Sequence, residues 1–340
     1  MPQSRSSRPT QRDIAQLAGV SITTVSHVVN ETRAVAPETR EAVLAAIEET
    51  GYTADAVARS LVTGGTKSIG VAVSLLTNPY FAVLIQAIEQ EAARAGYTML
   101  LADTQDTVLT ERNTVRTLCS HRVDGLLLTP TPEDGPVIDE LIRLGIPLVL
   151  MDRVSTRTDV DQVGAENIQA TSTLTEHLAA AGHRRIGFIS GANGLLTSEE
   201  RALGYRLGLG RSGLTWNPEF VACGHSSREG ARQALRKLLD INEPPTALVV
   251  GNDSMMTGVL REARARGIRI GSELAVVSYD DPEWADLIDP PLTTMAQPVE
   301  AIGQQAVQLL LARISDPERD TETLRLPTTL KHRDSCRCSH

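Results

Sequence analysis

The sequence predicts a small all-α head followed by a larger α/β body made of two doubly wound parallel-sheet subdomains. Three observations carry that expectation. Before residue 65 no stretch has a strand pattern; from Ser68 onward short apolar runs alternate with amphipathic stretches; and the alternation breaks at Asp152–Asn167. Continuous Val, Ile and Leu runs separated by helices mean βαβ units whose strands are buried on both faces. About seven to nine such units are too many for one compact open sheet, so the break divides them into two facing halves, with a closed barrel as the competing arrangement.

In the head, Thr10-Gln-Arg-Asp13 fits a capping box, the Thr hydroxyl accepting from an early N–H while Asp13 bonds back. The helix it opens, Gln11–Leu17, ends where Gly19 can take a left-handed turn. Ser21 caps a second helix, Ile22–Val29. Two short helices joined by a glycine-bearing turn form a helix-turn-helix, a spacing that any three-helix domain can also show. Ile14, Leu17, Val20, Val25 and Val28 supply its inner face. Ile22, Thr23, Ser26 and His27 are left outward on the first turns of the second helix, where base edges are read. A third helix over Pro37–Thr50 and a brief one over Ala56–Leu61 follow, before the linker-like Thr63-Gly-Gly-Thr66.

In the body, strands are expected at Ser68–Leu75, Thr98–Asp103, Gly125–Thr129, Pro147–Met151, Arg185–Ser190, Ala247–Val250 and Ala275–Tyr279. Helices are expected at Pro79–Ala95, Glu111–His121, Asn167–Ala181, Arg228–Asp240, Asp253–Ala265 and Val299–Ile314. The boundaries follow: head 1–65 with a short helix at 56–61; first subdomain about 66–167 and 297–327; second about 168–296 and 328–335; tail 336–340.

Composition excludes several classes. With 340 residues, 41% hydrophobic and 22% charged, the chain is an ordinary globular one. Its four cysteines do not make a disulfide framework, which fits a reducing cytoplasm. The polar start, Met1–Thr10, has no apolar core of a signal peptide, and no run approaches the ~18 apolar residues that would span a membrane. The net charge of −9 argues weakly against nucleic acid. That total is misleading, however. Residues 1–65 carry six Arg against seven acids, and residues 1–29 carry three Arg against one Asp. Contact with DNA is then confined to a short segment, with helix N-termini and hydroxyls sharing the phosphate work.

The stretch Asp13-Ile-Ala-Gln-Leu-Ala-Gly-Val-Ser-Ile-Thr-Thr-Val-Ser-His-Val-Val-Asn30 resembles the lactose-repressor/galactose-repressor family of bacterial transcription regulators. So do Glu38-Thr-Arg-Glu-Ala-Val43, Gly51-Tyr52, Ala56-Val-Ala-Arg-Ser-Leu61, Ser68-Ile-Gly70, Asn78-Pro-Tyr-Phe81, Arg122-Val-Asp-Gly-Leu126, Gly182-His-Arg-Arg-Ile-Gly187 and Pro290-Pro-Leu-Thr-Thr294. The resemblance implies a periplasmic-binding-protein-like body and a homodimer that binds a near-palindromic double-stranded DNA operator, most simply as a repressor. It also implies a small-molecule effector, no enzymatic activity and no cofactor. Ile22, Thr23 and His27 align with base-reading positions; Thr10, Ser21, Thr24, Ser26 and Asn30 align with positions that contact phosphates or cap the helices that do. Thr-Thr-Val-Ser-His-Val looks like the reading helix of the family's purine repressors, where many relatives have arginine in place of His27, so the half-site is expected to be related. Ile22 suits a thymine methyl.

Ala56–Leu61, including Ala58, resembles the family's hinge helix, which forms when two chains sit side by side on DNA. A segment of this length cannot hold a helix alone, because nucleation outweighs propagation. Leu61 aligns with a leucine that wedges into the minor groove and kinks the duplex. Ala54 stands where relatives have proline, and Val62 where a basic residue is common.

Ligands of open α/β sheets bind beyond the carboxyl ends of strands. Ser74, Tyr80 and Phe81 follow the first body strand, Arg201 the Arg185–Ser190 strand, Asn252 and Asp253 the Ala247–Val250 strand, and Asp280 the Ala275–Tyr279 strand. By resemblance these line the effector cleft, with Glu166 and Asn167 near the crossover. The competing reading of Asp253 and Asp280 is that of helix N-caps after a strand. A ring of Asp, Asn and Arg with aromatic walls suits a polyhydroxylated, sugar-like ligand. A purine is the other candidate, but Leu195 aligns with a pocket arginine of the purine repressors, and Ser226 falls near one of their stacking aromatics. A periplasmic sugar-binding protein would share the body fold, but it would carry a signal peptide and no reading head.

Other signals are weaker. Gly208-Leu-Gly-Arg-Ser-Gly213 is formally a dinucleotide fingerprint, yet it follows a helical stretch and reads as a helix stop. Cys336-Arg-Cys338 with His332 and His340 could bind metal, but reads as an unstructured terminus.

Overall fold

The computed structural model describes residues 9–30, 33–52, 65–133 and 135–337, and the chain divides into two compact units, one to Lys67 and one from Ser68. The expected hinge helix, with Ala58 and Leu61, lies outside the described residues.

The head contains α1 (Gln11–Leu17), α2 (Ile22–Asn30) and α3 (Pro37–Thr50). The capping box forms as expected, and Asp13 accepts from both the N–H and the hydroxyl of Thr10, each at 2.8 Å. Gly19 takes the left-handed turn at φ 67°, and Ser21 accepts from Thr24 N–H at 3.1 Å. Ile14, Val25, Val28, Val43 and Ala46 form the core, with Val20 packed beside it. Leu17 departs from expectation: it is 48% exposed, because Ala18, one turn beyond Ile14, takes the inward position instead.

The body is two six-stranded open sheets rather than a barrel. The first comprises β1 (Ser68–Val73), β2 (Thr98–Asp103), β3 (Gly125–Leu128), β4 (Leu148–Met151), β5 (Asp161–Ala165) and β11 (Thr323–Leu326), in the order β11-β5-β4-β3-β1-β2, all parallel. The second comprises β6 (Ile186–Ser190), β7 (Val221–Cys223), β8 (Ala247–Val250), β9 (Ala275–Tyr279), β10 (Thr293–Ala296) and β12 (Thr329–Lys331), in the order β12-β10-β9-β8-β6-β7. Only β12 in it is antiparallel.

Helices α4 (Pro79–Arg94), α5 (Val108–Ser120) and α6 (Gly135–Arg143) cover the first sheet. Helices α7 (Ile168–Ala180), α8 (Leu196–Arg211), α9 (Arg228–Leu239) and α10 (Asp253–Ala265) cover the second. Then α11 (Val299–Ser315) returns to the first half, burying Ile302, Ala306, Val307 and Leu310 against β-strand residues Val149 and Val163 and helix residues Leu84 and Ile88. The chain therefore passes between the halves after β5, after β10 and after β11.

Strand β5 occupies the stretch read as a break. It is buried throughout, yet it begins Asp161-Gln162. Arg313 Nε donates to Asp161 at 2.9 Å, and the Gln162 amide is bonded by Ser155 N–H and Arg157 C=O, so two polar residues sit inside at little cost. The passage between halves falls just after, at Glu166–Asn167.

The glycines after Arg201 also differ from expectation. Helix α8 runs through Gly208 and Gly210 and is stopped by Gly213 at φ 67°. A Cβ on Gly204 would lie 2.3 Å from the Ile168 carbonyl oxygen, and one on Gly208 2.7 Å from that of Ser172, so these glycines let α8 lie directly on α7. The carboxyl-terminal segment before Arg337, expected to be unstructured, packs into the second half: Cys336 is fully buried, and the Ser335 hydroxyl donates to Val276 C=O at 2.6 Å while accepting from Thr293 N–H.

Candidate DNA-reading face and effector cleft

On the head, Ile22 and Thr23 are exposed at the start of α2, Ile22 by 44%. Ser26, His27 and Asn30 are partly exposed on the same helix, with Asn30 donating to Ser26 at 3.1 Å. Thr10 and Ser21 stand at the N-termini of α1 and α2, and Ser21 is hydrogen-bonded to the Thr24 hydroxyl at 2.8 Å. The arrangement offers base-sized side chains on one face and positively polarised helix starts at its edge.

In the body, the carboxyl ends of strands from both sheets open into one cleft. Ser74, Tyr80, Phe81, Arg201, Asn252 and Asp280 all line it. Ser74 is fully buried at the end of β1, and its hydroxyl finds no hydrogen-bond partner among the described residues. Asn78 caps α4 by accepting from Tyr80 N–H at 3.0 Å, which sets the Tyr80 and Phe81 rings edge to face, 5.3 Å apart. Burial, reinforced by the adjacent Asp152, pushes the Tyr80 hydroxyl well above its usual pKa.

Arg201 is the most constrained group. Its Nε donates to Asn167 Oδ1 at 2.9 Å, one terminal nitrogen donates to Gly251 C=O at 2.7 Å, and the guanidinium stacks 3.7 Å from the centre of the Tyr279 ring. Asn167 in turn donates to Glu200 at 2.8 Å, and the Tyr279 hydroxyl donates to Glu166 C=O at 3.0 Å. Glu166 caps α7 through the N–H groups of Gln169 and Ala170.

Asn252 caps α10 by accepting from Met255 N–H at 2.8 Å. Asp253 is the one expected site residue of the body that does not line the cleft. Its carboxylate turns back to accept from Ser254 N–H, and its own N–H donates to Asp280 at 3.3 Å. Burial and the neighbouring Asp280 raise its pKa to about 7. Asp280 holds a left-handed backbone at φ 73° and accepts from the Gln297 side chain on the second passage between the halves.

Sequence reasoning missed Asp106, Asp152, Arg153 and Gln297, which share the cleft. Arg153 forms an ion pair with Asp106, and burial raises the pKa of Asp152 despite Arg153 beside it. Asp152 and Arg153 follow β4 and satisfy the strand-end rule. They escape notice because their segment reads as the break between halves. Leu195 and Ser226 also line the cleft.

A helix-turn-helix head joined to a two-lobed body with a polar cleft at its strand ends defines the class of DNA-binding regulators governed by a small ligand. Residues 10–55 match the family model for bacterial regulatory proteins of the lacI family, and residues 175–336 match that for a periplasmic binding protein-like domain. The chain is 36% identical over 329 residues to the HTH-type transcriptional repressor PurR of Photobacterium profundum, covering 96% of this chain and 98% of that protein. It is 37% identical over 314 residues to PurR of Haemophilus influenzae (strain PittEE), covering 92% and 93%.

Among solved structures, the lac repressor dimer bound to operator and the anti-inducer ONPF superposes with a TM-score of 0.87 at 30% identity, covering 98% of this chain and all of that one. The complex of transcriptional regulator CelR with cellobiose gives 0.74 at 32%, covering 96% and 100%. The chain belongs to the lacI family of bacterial regulatory proteins. It is a DNA-binding transcriptional regulator and not an enzyme. Among the described residues no helix is long and apolar enough to cross a membrane.

Proposed function

We propose that this regulator is a homodimeric repressor whose operator affinity is set by a sugar-like effector in the body cleft. Ser74, Tyr80, Phe81, Arg201, Asn252 and Asp280 contact the ligand, and Asp253 acts behind Asp280. The head of residues 1–65 reads a near-palindromic operator: Ile22, Thr23 and His27 face bases, and Thr10, Ser21, Thr24, Ser26 and Asn30 hold the backbone. Ala58 and Leu61 belong to the hinge that enters the minor groove. Effector binding changes the angle between the two body halves and hence the spacing of paired hinges, a coupling free energy between two sites.

The observation that carries the sugar reading is the pairing of hydrogen-bond donors with carboxylates in the cleft. Asp106 with Arg153, and Asp280 with Gln297, present donors and acceptors side by side from both lobes, as vicinal hydroxyls require. A purine reading has support from the two PurR relatives and from the purine-repressor-like reading helix. Against it, apolar Leu195 and the small hydroxyl of Ser226 stand in the cleft wall where a nucleobase site would use a cation and a ring.

Thermal-shift scans of the full chain against pentoses, hexoses, disaccharides, nucleobases and nucleosides separate the two. Stabilisation by a sugar, lost in Asp280→Ala, supports the reading. Stabilisation by a purine alone overturns it. Footprinting on the gene's own upstream region tests the DNA claim, and loss of a protected near-palindrome in Leu61→Ala is the expected result.

A further inference from the structure

At the back of the second half, away from the strand ends that form the cleft, three elements bring soft donor atoms together. His177 stands in the last turn of α7, His332 directly follows β12, and Cys336 lies in the 3-10 turn of residues 334–336. One ring nitrogen from each histidine and the Cys336 Sγ all lie within 4.8 Å of one another. The two imidazoles meet edge to face, 4.9 Å between centroids. Cys336 is fully buried, whereas His332 is exposed, so an ion can enter along His332 and end against the thiol.

We propose that His177, His332 and Cys336 form a three-ligand site for a zinc-class divalent ion, joining the end of α7 to the carboxyl-terminal segment. Tetrahedral coordination with zinc–nitrogen and zinc–sulfur bonds of ordinary length puts donor atoms about 3.3–3.6 Å apart. Donors already within 4.8 Å need only small side-chain rotations to reach that spacing. Two imidazoles and a thiolate select zinc, cobalt or copper over magnesium or calcium, which demand oxygen ligands. Three protein ligands leave the fourth position for water or an exogenous ligand.

Binding is a proton-balanced exchange. The Cys336 thiol, which now donates to Arg333 C=O at 3.2 Å, releases its proton to solvent as the sulfur–metal bond forms. The anchor points are a helix whose first turn Glu166 caps beside the cleft and a segment whose Ser335 is bonded to Val276 of β9. An ion there stabilises the second half against unfolding, by an amount that grows with the logarithm of its concentration above Kd.

The sequence places Cys338 and His340 just beyond, outside the described residues, so the test must separate a folded site from chelation by the tail. Metal-free, untagged full-length protein is titrated with Co²⁺ and followed by absorption. The expected result is one equivalent bound, with a thiolate-to-cobalt band in the near ultraviolet, strong tetrahedral bands in the visible, displacement by Zn²⁺ and a raised Tm with Zn²⁺. His332→Ala and His177→Ala each weaken binding more than about tenfold. Cys336→Ser removes the charge-transfer band. Because Cys336 is in the core and its variant can fail to fold, the exposed His332 variant carries the test alone. Cys338→Ser/His340→Ala leaves the one-equivalent spectrum unchanged. Absence of a cobalt–thiolate band, its persistence at undiminished affinity in His332→Ala, or its loss in the Cys338→Ser/His340→Ala protein overturns the proposal.

Discussion

Arg201 and Asn167 are hydrogen-bonded at 2.9 Å at the first passage between the body halves, Arg201 reaching from the cleft wall and Asn167 standing where β5 hands over to α7. The same guanidinium holds Gly251 C=O at the end of β8. A ligand that touches Arg201 therefore acts on the connecting segment and on a second-sheet strand end together. Differential contact with such an element is what shifts a two-state equilibrium.

Replacing Arg201 by Met removes both hydrogen-bond donors at once and leaves Asn167 Oδ1 and Gly251 C=O unpaired in a partly closed site. The expected cost is about 1–3 kcal/mol of body stability, read as a lower denaturant midpoint, together with a loss of effector affinity. Arg201→Lys keeps the charge but not the fork that satisfies two acceptors. It should recover part of the stability without recovering affinity. Equal ligand affinity in all three proteins would remove Arg201 from the site.

Asp253 makes stability depend on pH. Its pKa is raised to about 7 by burial and by Asp280, above the ordinary value of 3.8, so the folded state holds its proton more tightly than the unfolded chain does. Stability from this group is full below the ordinary carboxylate range and is lost as pH rises towards about 7. Asp152, raised by burial, acts in the same direction. Urea midpoints measured across that interval should fall with rising pH more steeply in the parent than in Asp253→Asn. Parallel curves would show that the Asp253–Asp280 contact does not titrate there.

Two glycines on one helix should respond oppositely. An alanine Cβ at Gly204 meets the Ile168 carbonyl oxygen at 2.3 Å and Thr171 Cβ at 2.9 Å, whereas at Gly210 it meets nothing within 4 Å. Gly204→Ala must push α8 off α7 and should destabilise by about 1–3 kcal/mol or more. Gly210→Ala gains helix propensity with no clash and should stabilise by a few tenths to about 1 kcal/mol. Thermal unfolding of the two variants checks the pair.

These cases also show what was legible before the structure. The alternating body, the two halves, the return of α11 and the strand-end cleft follow from patterns local in sequence: apolar runs, caps and the polar residues just after strands. What escaped depends on partners far away. Strand β5 was hidden because Asp161 and Gln162 break its apolar run, and the partners that make Asp161 tolerable inside, Arg313 and the Glu322 N–H, come more than 150 residues later. Leu17 fits the inner-face period, but in so short a helix Ala18 fills that place. Asp253 occupies a strand end, yet its side chain is spent on its own helix start. The C-terminal segment is polar in sequence and ordered in space, because Thr293 and Val276 supply the partners of Ser335.

The head carries the sharpest functional prediction. On the proposed function Ile22 and His27 reach base edges from α2, whereas Ser21, at the start of that helix, holds phosphate. Loss of a base contact and loss of a phosphate contact differ in kind. His27→Ala should cost about 1–3 kcal/mol against the preferred operator and little against variants altered at the base it reads, which relaxes specificity at that position. Ser21→Ala should weaken binding to all sequences alike. Because residues 1–29 carry a net of only two positive charges, the parent protein should show a shallower salt dependence than a strongly basic reader. Competition binding on a panel of single-base operator variants at two salt concentrations measures all three quantities. A uniform loss in His27→Ala, with no change in base preference, would move that residue from the base edges to the backbone.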